Sequence, residues 1–578
     1  MSAGVPAEDE AAAGLEELRR ARFAERLRDK DPGLWPGAAA QPKALRRGLG
    51  WVSLPDAMAA GLGPVRSFAA EARRDGLTHA VVLGTGSAGL LAEAWRVCGA
   101  RAPGQPTLEV LDSSNPAAIA ALETRIPLDR ALFLVASKTG SALEPNCLLE
   151  YFFEKVCRRA GSKAGGQFAA VTDPGTSLER LARSRGFRKV FLGPPDVAAS
   201  FSALSLFGLV PAALMGADLQ GLLGGARACA RDCGEGPAAA QSPALRLGAA
   251  LAAHARRGRD KLTLSLSAAL EPLGPWIEQL VAQSTGQQGR GLVPVCAEPL
   301  AAPDSYGPDR LFVRIGLRPQ PDPGAEARLA ALERAGQPVL RLELADAGEL
   351  GAQFYLWQVA AAAAAFLLGA DPFDERGAAD GQARTWGLLR ALERGDLPAE
   401  PADLRAGGLA AFADQELLSA LGAGRGLDLP LRRVLGAHLS RLGPGDYGAI
   451  LAYVDPDESA RRQLDALREN LRRASGAAVS VQFGPRYLHG PAPLYKGGPA
   501  RGLFLELVQP DAAALRVPGQ EFSFGALHRA QARGDYAALR EGGRRILRLD
   551  LGAAAAQSLR ALVNATAEPA ADRPPLSR

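Results

Sequence analysis

Five residues stand together where recognition of a phosphate ester would need them. Ser137-Lys138-Thr139-Gly140-Ser141 follows the apolar run 131–136 and precedes a helical stretch with Pro145 in its first turn, where proline is tolerated. Amides at a helix start lack intrahelical partners and sit at the positive end of its dipole. Hydroxyls and an ammonium added there make a site for a phosphate monoester. The plainer reading is a serine-rich cap on an ordinary helix. An earlier turn, Gly84-Thr85-Gly86-Ser87-Ala88-Gly89, satisfies Gly-x-Gly-x-x-Gly, and Asp112 follows 23 residues after Gly89. That spacing suits an NAD-binding oxidoreductase, with Asp112 on the ribose hydroxyls, and equally a tight strand-to-helix turn.

The elements that must position these turns alternate. Apolar runs at 80–83, 108–111, 131–136, 168–171 and 190–192 read as strands separated by helices, which predicts parallel sheets covered by helices on both faces, an α/β fold. The same pattern resumes near Pro243 with strands at 262–266, 292–295, 311–315 and 339–342, and later at 449–454, 479–483, 503–507 and 545–549. The organisation expected is an N-terminal helical extension (1–48), a first lobe with the phosphate loop (49–240), a second lobe (241–565) with a helical insertion near 374–429, and a loose Pro-rich tail (566–578).

A chain of 578 residues is too long for one compact core. Of its 67 basic residues only eight are lysine, a skew that reads as base-composition bias, and no basic stripe interleaves with aromatics, so nucleic acid is a poor partner. Six scattered cysteines suit reduced thiols in a cytoplasmic protein. Cys229 and Cys233 share a helix face; a zinc pair is conceivable there, but no further ligands follow at finger-like spacing, and no metal is expected. The acidic N-terminus carries no secretory h-region. Residues 198–217 hold no charge, yet three serines and Pro211 suit a buried helix near a ligand; the apolar run 359–370 is too short to cross a bilayer. No membrane span is expected.

Longer landmarks add to the two turns: Lys30-Asp31, Leu49-Gly50-Trp51, Asp112-Ser113-Ser114-Asn115-Pro116, Glu144-Pro145-Asn146, Thr172-Asp173-Pro174-Gly175, Gly484-Pro485-Arg486-Tyr487-Leu488-His489, Lys496-Gly497-Gly498-Pro499 and Ala530-Gln531-Ala532-Arg533-Gly534-Asp535. With them the chain resembles the glucose-6-phosphate isomerase family from Phe23 to Gly552, most of all the isomerase half of bifunctional transaldolase/glucose-6-phosphate isomerase chains. The resemblance implies two flavodoxin-like sugar-isomerase lobes with a sugar phosphate between them and no cofactor. A separately encoded transaldolase and a second copy of the chain are the candidate partners. The phosphate would lie on Ser137, Lys138, Thr139 and Ser141, with Gly86 and Ser87 beside it.

The family's reaction opens the sugar ring and moves a proton between the first and second carbons, using a Glu as base, an Arg beside the enediolate, and a His and a Lys for ring opening. By resemblance the base position holds Gln283 in Gln283-Ser284-Thr285-Gly286, the Arg position holds Ser200, and the Lys position holds Gln382. His489 remains at the ring-opening position, unless it is simply a hydrogen-bonded core histidine. A carboxamide cannot take a carbon-bound proton at neutral pH, and a positioned base is worth roughly 10²–10⁴ in rate. The sequence therefore leads to a degenerate sugar-phosphate-binding paralogue. A working isomerase survives as the alternative if Glu278 or Glu298 stands in as base, or if the placement slips by a residue.

Overall fold

A computed structural model describes residues 8–35, 48–99, 101–234, 241–373, 376–394, 400–422, 424–510 and 515–567. The first sheet joins β1 (His79–Gly84), β2 (Thr107–Leu111), β3 (Ala131–Ala136), β4 (Phe168–Thr172) and β5 (Lys189–Leu192). All pair in parallel in the order β2-β1-β3-β4-β5. Alternation along the strands feeds two cores: Val81, Leu83, Phe133 and Val135 enter one, Ala80, Val82, Leu132 and Leu134 the other. Both faces are thus covered, which is why these strands are apolar throughout. This is the flavodoxin-like order, and the chain reverses direction of winding between β1 and β3. Ligands of such sheets bind at that reversal, outside the strands' carboxyl ends. The turns after β1 and β3 are the two glycine turns of the sequence.

A second parallel sheet, in the order β7-β6-β8-β9, uses β6 (Lys261–Leu266), β7 (Val293–Val295), β8 (Arg310–Leu317) and β9 (Val339–Leu344). A third has seven strands: β10 (Leu404–Ala406), β11 (Leu409–Ala413), β12 (Asp428–Leu429), β13 (Tyr447–Tyr453), β14 (Ala478–Phe483), β15 (Gly502–Val508) and β16 (Arg545–Asp550), in the order β12-β10-β11-β16-β15-β13-β14. The stretch read as one second lobe therefore carries two sheets. The expected helical insertion at 374–429 also differs. Its helix Arg376–Glu393 is followed by three short strands and the helix Gln415–Leu421. Runs of two to five Ala- and Leu-rich residues have no period of their own, and antiparallel pairing of β11 with β16 is what makes them strands.

The helix Leu350–Leu368 is buried on nearly every side and is the hub between the first two sheets. It packs on the helices Pro243–Arg256 and Leu219–Asp232. Gly248 permits the crossing, since a Cβ there would stand 2.8 Å from the Ala363 Cβ. By length and composition the helix could span a membrane, but 94% of its most apolar window is buried inside the protein. The uncharged stretch 198–217 forms a short turn, Ala199–Phe201, and the buried helix Leu206–Leu214. Within the expected N-terminal helical extension lie the helices Glu8–Arg20 and Phe23–Arg28. Most of the expected tail, from residue 568 on, lies outside the described residues.

Candidate functional site

The turns after β1 and β3 open on a cleft of about 460 Å³. Gly86, Ser87, Ser137, Lys138, Thr139 and Ser141 all line it. Gly86 has φ +59°, and a Cβ there would come within 3.2 Å of the His489 Cβ, so this turn can approach the His489 segment only as glycine. Thr139 and Ser141 share a hydroxyl contact of 2.9 Å, and the buried Ser137 hydroxyl has no partner among the described residues. The first turn of the helix Leu143–Ala160 closes this side, its cap position Ala142 contributing no side-chain bond.

Opposite lies the end of the helix Leu273–Thr285, which presents Gln279 and Gln283 one turn apart. Gln279 accepts from the Ser87 hydroxyl at 2.8 Å and donates to the His489 carbonyl at 2.6 Å. The Gln283 amide donates to the carbonyls of His489 (2.9 Å) and Gly490 (3.2 Å). Gln382 reaches over the cleft and donates to the Ser141 carbonyl at 2.8 Å. Ser200 behaves differently. It is buried in its short turn, and the wall at that point consists of Ala199 and Ser202. Neither neighbour supplies a positive charge.

The cleft's ionisable groups are paired. Lys138 Nζ lies 2.6 Å from Asp173 Oδ2 and also donates to the Pro194 carbonyl at 3.3 Å. Burial nevertheless leaves the Asp173 carboxyl above its ordinary pKa. His489 Nε2 lies 2.9 Å from Glu144 Oε1, and Gln531 donates to the same oxygen at 2.6 Å. Burial pulls the imidazole towards its neutral form, but the Glu144 carboxylate outweighs it and holds the His489 pKa above 6.5. Burial likewise opposes the Glu144 charge, and His489 with Gln531 overcomes it, so that pKa is lowered. Lys496 Nζ pairs with Asp535 Oδ1 at 2.7 Å, while the Tyr487 hydroxyl donates to Oδ2 at 2.5 Å. The result is an imidazole, His489, facing a wall of carboxamides.

Both stand-in bases lie elsewhere. Glu298 is fully buried in a two-point ion pair with Arg310, at 2.8 and 3.1 Å. Glu278 lines a separate crevice, accepts from Gln482 at 2.8 Å, and is pushed up to about 8 by burial. Asp112 lines that same crevice, 2.9 Å from Arg486, and packs against Gly89 of the first glycine turn. Sequence reasoning missed Glu144, Asp173, Gln279, Gln531 and Asp535 as parts of the site. Four of them sit in landmark runs, and Gln279 could have been found as the residue one turn before Gln283.

Fold and cleft together define an α/β protein with its cleft at the reversal of a flavodoxin-like sheet. No family model matches the chain. It is 30% identical over 325 residues to a probable glucose-6-phosphate isomerase of Haloquadratum walsbyi, covering 49% of this chain and 73% of that protein. A probable glucose-6-phosphate isomerase of Natronomonas pharaonis is 30% identical over 320 residues, covering 48% and 72%. Among solved structures, a hypothetical protein from Thermus thermophilus matches with a TM-score of 0.56 at 24% identity, over 67% of this chain and 98% of that one. The chain belongs to the glucose-6-phosphate isomerase family.

Proposed function

We propose that this protein binds a hexose 6-phosphate in the cleft, in the cytoplasm, and that the proton transfer between the sugar's first two carbons is lost or strongly slowed. The observation that carries this reading is Gln283. It occupies the wall beside His489 with its amide fixed on two backbone carbonyls, and it offers a carbonyl oxygen where a base would need a carboxylate. The two carboxylates that do line the cleft, Glu144 and Asp535, are held by His489 with Gln531 and by Lys496 with Tyr487. The phosphate loop supplies hydroxyls and helix-start amides, and these need no base. Binding can therefore outlast catalysis. Its role would be regulatory or scaffolding, with a separate transaldolase or a second copy of the chain as partner.

One observation favours an active isomerase. The Glu144–His489 pair is a competent acid, and relatives named glucose-6-phosphate isomerase share about half of this chain. A coupled assay separates the two readings. Conversion of glucose 6-phosphate to fructose 6-phosphate is expected at least ~10³ more slowly than by an isomerase with its carboxylate base, given the lost base and cation. Turnover within tenfold of such an enzyme would establish the active reading.

A further inference from the structure

A second cavity, also of about 460 Å³, opens beside the helix Gly63–Arg74 and shares no lining residue with the cleft. Arg66, Arg73 and Arg74 of this helix, all exposed, line the cavity together with Ala69 and Ala70. Residues seven apart are two helical turns apart and share a face, which explains why the arginines converge. Longer side chains at 69 and 70 would fill the space.

The charges there are only partly matched, with three arginines and one carboxylate, Asp218, among the described lining residues. Among the described residues none of the three guanidinium groups forms an ion pair. Asp75, next in the chain, is paired with Arg188 at 2.6 Å. Asp218, at the rim, caps its own helix by accepting from the Gln220 amide at 3.1 Å, and Arg66 reaches only the Gln220 side chain, at 3.5 Å. Positive groups that converge in a concavity concentrate anions there. A guanidinium fork also matches phosphate oxygens two at a time. Arg66 and Arg73 stand about 10 Å apart along the helix by its rise per residue. A single phosphate is too small to meet both, whereas linked phosphates can. The volume is that of a small-molecule site, and its concave walls do not suit an extended nucleic-acid backbone.

We infer that this cavity binds a small ligand carrying two or more linked phosphate groups, independently of the sugar-phosphate cleft. Calorimetry on the full chain with inorganic phosphate and with tripolyphosphate tests it. Tripolyphosphate is expected to bind about tenfold or more tighter than phosphate, and Arg66→Gln/Arg73→Gln to weaken it by about tenfold or more. Arg74→Gln is a second exposed-site variant, and circular dichroism checks the fold of each. Ser141→Ala, in the cleft, is expected to leave tripolyphosphate binding unchanged. Equal affinity for wild type and double variant would overturn the inference, as would loss of binding in Ser141→Ala alone. Tighter capture of a single-stranded RNA by the same arginines would also overturn it, by showing a nucleic-acid surface.

Discussion

His489, near the C-terminal end of the seven-stranded sheet's β14, closes on Glu144, in the first turn of a helix of the five-stranded sheet, at 2.9 Å. This contact ties the two halves of the cleft and favours the protonated form of its histidine. With Glu144→Gln the main group opposing burial is lost, while Asp112 still favours and Lys496 disfavours the charged imidazole, and the His489 pKa is expected to fall. Histidine-selective NMR titration can follow it, because the chain holds five histidines. The stability effect has a defined window. His489 is raised, so its contribution is full below pH 6.5 and is lost as pH rises through its folded pKa. Glu144 is lowered, so its contribution is present above pH 4.5 and is lost as pH falls through its folded pKa.

Lys138 carries the charge of the phosphate loop, yet Asp173 holds it at 2.6 Å. Freeing the ammonium should strengthen anion binding. Asp173→Asn is expected to raise affinity for a hexose 6-phosphate by about tenfold, the scale of one charge-assisted hydrogen bond. Lys138→Ala should lower the melting temperature by stranding a partly buried carboxylate. Unchanged calorimetric affinity in Asp173→Asn would remove Lys138 from phosphate recognition.

Glu278 titrates near 8 because it is buried. The folded state then holds a proton that the unfolded chain releases near pH 4.5, so stability falls as pH rises between those values. Glu278→Gln keeps the shape and abolishes the ionisation. Its unfolding free energy relative to wild type should climb from pH 5 to pH 8, by about 1.4 kcal/mol for each pH unit at most. A pH-independent difference would show that Glu278 ionises freely.

Much of this architecture could be read in advance, and the limits have physical causes. The strand Ala131–Ala136 and the turns after β1 and β3 were legible because buried parallel strands are uninterrupted apolar runs ending in glycine or serine. Of the third sheet, β13 to β16 were legible in the same way but β10, β11 and β12 were not, since β11 is fixed by pairing with β16 far along the chain. The same holds within the site. Ser114 donates to Gln531 at 2.6 Å across 417 residues, and no local pattern announces such a bond. Ser200 was expected at the cleft by resemblance, while folding turned Ala199 and Ser202 to the wall instead.

Restoring a carboxylate at Gln283 should not be benign. Its amide donates to two backbone carbonyls, and Gln283→Glu would set an anion against both. A loss of about 1–3 kcal/mol at neutral pH is expected, measurable by urea unfolding and smaller at pH 4, where the new group is protonated. A variant as stable as wild type at pH 8 would mean that the side chain swings clear of the carbonyls.

The central claim is that a cleft walled by Gln283 has no base for a carbon-bound proton. Isotope exchange tests it without reliance on net product. With glucose 6-phosphate and stoichiometric protein in D₂O, proton NMR reports the hydrogen on the sugar's second carbon directly. The account predicts that this signal persists over hours, while line broadening of the sugar resonances shows that the ligand is bound. Replacement of that hydrogen by deuterium within minutes would contradict it, because some group in the cleft would then be removing the proton.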